Sequence, residues 1–200
     1  NELFGDFEVM QSLVDTFRQV DRRHLYAYGS NNYLGFKGQL PGEDYLVTCR
    51  IGGEKPQSLD THVRGSFSFA DAYDGGYLNH TYPNTVMDFS GAVARADVPV
   101  VSHETGQFQV YPDYREIAKY TGVLYPYNME VFRDRLARAG MSEQAEDFFL
   151  ASGRWATELY KADIEMDLRT EGLAGFQLLD LQDYPGQGSA YVGILDAFMD

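Results

Sequence analysis

An α/β fold on a parallel sheet, open or closed, is what this chain predicts, and three observations carry that reading. Short β-prone runs alternate with stretches of helical periodicity, the order expected when each strand is followed by helical cover. Val98-Pro99-Val100-Val101 is a continuous apolar run, as in a strand buried on both faces. The 200 residues are 44% hydrophobic and 14% aromatic, enough for one real core.

The elements follow in order. Phe7, Met10, Leu13, Val14 and Phe17 recur at three- and four-residue steps and predict an amphipathic helix over Phe4 to Val20, broken by Asp21-Arg22-Arg23. His24 to Tyr28 reads as a short strand closed by Gly29-Ser30-Asn31-Asn32, and Tyr45 to Cys49 as the next. Residues 51–97 form a long segment rich in Gly, Tyr, Asn and Asp, with helix expected around Thr85 to Arg95. Segments of this length are usually functional, and aromatic rings beside amides and hydroxyls suit a sugar-binding wall as well as an ordinary packed insertion. The run ending at Val101 is the third strand. Helices are expected at Tyr114 to Tyr120, at Met129 to Ala139 with Gly140 as terminator, and at Ala145 to Asp167 behind a Ser142 cap. Gly175 to Leu179 is the last strand and Ala190 to Met199 a final helix. Trp155, the only tryptophan, is expected to pack in the core.

Composition narrows the chemistry. A formal net charge of -14 disfavours nucleic acid and anionic membranes, which are read by clustered Lys and Arg. Cys49 is the only cysteine, so neither an internal disulfide nor a thiolate metal cluster can form. The histidines His24, His62, His80 and His103 lack zinc-site spacing, and no metal or organic cofactor is expected. Pro185-Gly186-Gln187-Gly188 lacks the Lys-Ser or Lys-Thr of a phosphate loop. No stretch has the length and apolarity of a membrane span or the order of a signal peptide. The start on Asn1-Glu2-Leu3 without methionine, and the end inside a helical pattern, predict a piece of a longer protein.

Ser102-His103-Glu104-Thr105-Gly106 follows the buried run directly and presents one carboxylate at a strand end, where barrel enzymes keep catalytic groups. Asn1-Glu2 supplies a second carboxylate, although a glutamate opening a helix is also favoured by the helix dipole. Two carboxylates about a sugar are what glycoside hydrolysis requires.

Longer motifs sharpen this. His103-Glu104-Thr105-Gly106-Gln107, followed by Tyr111-Pro112-Asp113-Tyr114 and by Gly175-Phe176-Gln177-Leu178-Leu179-Asp180-Leu181-Gln182-Asp183, resembles the catalytic domain of glycoside hydrolase family two. That group holds β-galactosidases, β-glucuronidases and β-mannosidases, and the likeness is closest to the large multi-domain enzymes of gut-type bacteria. The resemblance covers most of the chain. It implies the C-terminal half of a (β/α)8 TIM barrel, strands five to eight with their helices, starting at the end of strand four, with residues 51–97 between strands six and seven. The missing N-terminal half-barrel and accessory β-sandwich domains of a parent chain would be partners, and a periplasmic or cell-surface location follows.

The resemblance also assigns roles. Glu104 is the nucleophile and Glu2 the acid/base, held about 5–5.5 Å apart for retention. Asn1 would hydrogen-bond the 2-hydroxyl of the sugar. Asn32, His103, Arg50, Tyr77, His80, Asp180 and Asp183 are further substrate-binding candidates, and the two aspartates are equally suited to capping the following loop. Two positions depart from the family pattern. Thr48-Cys49-Arg50 stands where many members have a tyrosine that bonds the nucleophile, so that Arg50 is expected to hold Glu104 ionised or to bind an acidic sugar. Leu179 stands where a tryptophan commonly floors the sugar. The expected activity is that of a retaining, exo-acting β-glycosidase on terminal β-linked sugars. The alternatives are a carbohydrate-binding pseudoenzyme and a fragment inactive by itself.

Overall fold

The computed structural model describes residues 6–29, 38–51, 62–65, 78, 81–82, 84–184 and 191–200. The chain is a mixed α/β protein that divides into two compact units, Asn1–Gly106 with Ala162–Leu178 and Gln107–Lys161 with Leu179–Asp200.

The first unit carries a small parallel sheet. Strands β1 (Leu46–Thr48), β2 (Val100–Gly106) and β3 (Leu173–Leu179) lie in that order. Leu46, Val47 and Thr48 pair in parallel with Val100, Val101 and Ser102. All three residues of β1 are buried, as expected of a strand covered on both faces. Ile51, Val63, Phe89 and Val100 complete the apolar centre. Helix α1 (Phe7–Val20) begins where Asp6 accepts hydrogen bonds from the Glu8 and Val9 amides, an N-cap that satisfies two otherwise orphan donors. Only Val14 of this helix is buried, while Leu13 and Phe17 stay exposed.

The segment His24 to Tyr28 is not a strand, contrary to its composition. The Tyr26 amide donates to the Asp44 carboxylate at 2.8 Å and the Tyr28 amide to Glu43 at 3.3 Å, so side chains capture the groups a ladder would need. Helix α2 is confined to Ser90–Val93 rather than extending over Thr85 to Arg95. Asn84 takes the Val86 and Met87 amides and Asp88 takes that of Ser90, which holds the approach in turns.

The second unit is helical. A 3-10 turn at Tyr114–Lys119 starts on the Asp113 side chain, α3 spans Tyr127–Arg138, and a further 3-10 turn at Ser142–Gln144 leads into α4 (Ala145–Arg169), whose residues from Ala162 on belong to the first unit. Gly140 adopts φ +71 just after α3, the left-handed stop that a residue without Cβ accommodates best. Trp155 is 52% exposed, which corrects its expected core role. The buried stripe of α4 runs through Ala156, Leu159, Tyr160, Asp163, Met166 and Asp167, and Trp155 sits beside it.

The described tail, residues 191–200, forms no helix. Its amides are used elsewhere: Leu195 donates to the Leu181 carbonyl, Ile194 to the Asp180 carbonyl and Gly193 to the Asp183 carboxylate at 2.7 Å. Asp196 then accepts from the Phe198 and Asp200 amides, closing a turn in place of a helical one. Among the described residues no helix is long and apolar enough to cross a membrane.

Candidate active site

β2 extends through the Ser-His-Glu-Thr-Gly segment rather than stopping before it. Ser102, His103 and Thr105 are buried, whereas the Glu104 side chain is 25% exposed. The Glu104 backbone is in the left-handed region, φ +51, and Gly106 and Gln107 follow at +102 and +63. For a glutamate that conformation costs about 1–3 kcal/mol and persists only where the surroundings impose it.

Those surroundings are specific. Arg64, only 1% exposed, donates through Nη1 to the carbonyls of His103 at 3.0 Å and Glu104 at 2.9 Å. The same nitrogen lies 3.9 Å from Glu104 Oε2, so one guanidinium fixes the strained backbone and places positive charge beside the carboxylate. His103 Nε2 is 3.5 Å from Glu104 Oε1, and its Nδ1 is 2.9 Å from Gln177 Oε1 on β3, which orients the ring.

Below the strand, α4 presents two buried aspartates one turn apart. Asp163 accepts the Gly65 amide at 2.6 Å and the Gly106 amide at 3.2 Å, tying the Arg64 segment and the strand end to one carboxylate. A Cβ on Gly65 would lie 2.8 Å from Leu78 and 2.9 Å from Asp163, so only glycine fits there. Asp167 takes the Thr105 hydroxyl at 3.3 Å, and Thr105 in turn meets Ser102 at 2.7 Å. Burial, with Asp163 alongside, pushes Asp167 up to about 9.

Of the sequence candidates, Glu104 and His103 are brought together, and Arg64 is a cation beside them. Arg50 lies just beyond β1 in an antiparallel bridge with His62. Asp183 belongs to the second unit, where its carboxylate receives the Gly193 amide, the loop-capping role expected as its alternative. Asp180 follows β3, and its backbone pairs with Val192 and Ile194. Asn1, Glu2, Asn32, Tyr77 and His80 lie outside the described residues. Arg64 and the Asp163–Asp167 pair escaped sequence reasoning. Arg64 sits in a segment without periodicity, and the two aspartates resemble the polar side of a helix. Their i, i+4 spacing on the same side as Leu159 and Met166 was the available signal.

Tyr111-Pro112-Asp113-Tyr114 is used for packing. The Tyr111 and Tyr114 hydroxyls are 2.8 Å apart, the Tyr111 ring packs on Phe148, and Asp113 caps the turn. Among the described residues no group of three or more His, Cys, Asp or Glu side chains is placed to hold a metal ion. The chain matches no protein-family model and no curated protein.

Proposed function

We propose that this chain carries the nucleophile half of a retaining β-glycosidase, with Glu104 as the attacking carboxylate. The observation that supports it is Glu104 itself: a part-exposed carboxylate on a strained left-handed backbone at a strand end, flanked by a buried guanidinium and an oriented imidazole. A non-glycine residue in that conformation is uncommon, and such residues cluster at functional sites.

In this reading Glu104 attacks the anomeric carbon and forms a glycosyl ester, while the acid/base, Glu2, protonates the departing oxygen. Glu2 then takes a proton from water, which attacks the same carbon and releases Glu104. Arg64, bonded to the His103 and Glu104 carbonyls and 3.9 Å from the Glu104 carboxylate, would align the nucleophile. The sheet of the first unit would be part of the C-terminal half of a TIM barrel. The partner would be a terminal β-linked sugar, met outside the cytoplasm. Leu179, in place of a sugar-flooring tryptophan, favours a second reading in which the site binds glycans without cleaving them.

Treating the intact protein with a panel of 2-deoxy-2-fluoro-β-glycosyl fluorides and mapping labelled peptides separates the two. Covalent label on Glu104, and turnover lowered on the order of 10³-fold or more in Glu104→Gln, are expected. Sugar binding without label or turnover across the panel would establish the binding reading and overturn catalysis.

A further inference from the structure

The second unit carries an open cavity of about 600 Å³. That is within the range of small-molecule sites, roughly 300–1,000 Å³. Part of its wall is apolar, formed by Val110, Phe149, Leu150 and Ile194, and the rest is charged. Most of those charges are already matched. Lys119 contacts Asp196 at 2.5 Å and also Asp200, and the Arg115 Nε reaches Asp113 at 2.8 Å.

Arg154, on the exposed side, is unpaired among the described residues, and the buried exception is Glu116. It lines the cavity, is only 7% exposed, and its carboxylate forms no hydrogen bond or ion pair among the described residues. Asp183 lines the same cavity with one oxygen on the Gly193 amide. A carboxylate on a residue only 7% exposed is short of full hydration, and a ligand that supplies a donor and a positive charge recovers part of that cost.

We propose that this cavity binds a small organic monocation, a primary ammonium on an apolar body, with the ammonium on Glu116 and Asp183 and the body against Phe149, Leu150 and Ile194. The charge balance favours a cation over an anion: among the described residues, the buried and half-buried lining groups without an ion pair, Glu116 and Asp183, are carboxylates, whereas the unpaired Arg154 is exposed. The apolar wall, and the absence of a ligand cluster among the described residues, count against a metal ion. A neutral ligand would leave the Glu116 charge buried and uncompensated.

The electrostatics agree with the geometry. Burial, with Asp196, Asp183 and Asp113 nearby and Lys119 opposing them, pushes Glu116 up to about 7, and Asp183 is pushed up as well. Tyr120 and Tyr191 also face Glu116, and Arg154 of α4 lines the cavity from its exposed side. A bound ammonium favours the ionised form of both acids, so binding at acidic pH must expel a proton from Glu116.

The test is calorimetric titration of the full chain with 2-phenylethylammonium and, in parallel, 2-phenylethanol. The ammonium is expected to bind about ten-fold more weakly at about pH 6 than at about pH 8, with close to one proton released at the lower pH and almost none at the higher. Glu116→Gln is expected to lose about ten-fold or more in affinity together with the pH dependence, and Asp183→Asn to lose less. The proton count is read on the unaltered chain and needs no variant to fold. No binding at millimolar ligand, equal binding of the alcohol, or binding without proton release each overturns the proposal. So does a folded Glu116→Gln variant that binds the ammonium as well as the native chain.

Discussion

Two buried acidic environments in this molecule use the same kind of side chain to opposite ends. Below β2, Asp163 accepts from two backbone amides and Asp167 from a threonine hydroxyl, with apolar neighbours of α4 on either side. In the second unit Glu116 is nearly as buried but lines an open cavity, and its carboxylate accepts no hydrogen bond among the described residues. Burial and a raised pKa are common to Asp167 and Glu116. What separates the two sites is access: Asp167 keeps its Oδ1 buried without a hydrogen-bond partner among the described residues, whereas Glu116 lines a cavity that a ligand can enter.

Substitutions can break this contrast, and the largest effect is expected at Asp163. Asp163→Ala leaves the Gly65 and Gly106 amides without their acceptor, a loss of about 2–5 kcal/mol read from the denaturant midpoint. A near-neutral result would mean that the carboxylate does not hold the strand end. Asp167→Asn goes the other way. Its acid is raised in the folded state, so the stability it contributes is complete below its ordinary value near 4 and is lost progressively as pH rises toward about 9. The asparagine mimics the protonated acid and should therefore be more stable than the native chain by on the order of 2 kcal/mol at neutral pH, with a flatter pH profile. Glu116→Gln should stabilise by about 1 kcal/mol, a gain that grows from about pH 5 and levels off above about pH 7. A loss there would show that Glu116 has a structural partner after all. The smallest effect is expected of Tyr160→Phe, which removes a hydroxyl bonded to the Leu179 and Val192 carbonyls. It should cost about 1 kcal/mol by thermal melting, with the ring still packed on Phe108.

The legible parts of the fold were those set by local rules. The three- and four-residue periodicity marks α1, Gly140 marks the end of α3, and the continuous apolar run marks only the start of β2. The failures share one cause. At His24 to Tyr28, at Thr85 to Arg95 and in residues 191–200, carboxylate and amide side chains distant or adjacent in sequence bind backbone amides and divert them from ladder or helix. Propensity counts residues and does not know which acceptor will be near. Glu104 and His103 stood out as a carboxylate and an imidazole at a strand end, whereas Arg64 did not, since nothing local to His62-Val63-Arg64-Gly65 says that it meets Glu104.

The sequence by itself determined the alternation of helix and strand, the excess of negative charge, and the presence of one carboxylate shortly after the apolar run at which β2 begins. These depend on residue type and spacing along the chain, which are written in order. Only tertiary structure decided that the carboxylate sits on a left-handed backbone beside a buried guanidinium. It likewise decided that Asp163 is spent on two glycine amides and that Glu116 is left facing a cavity. Burial and donor supply depend on groups brought together from far along the chain, and no local pattern encodes them.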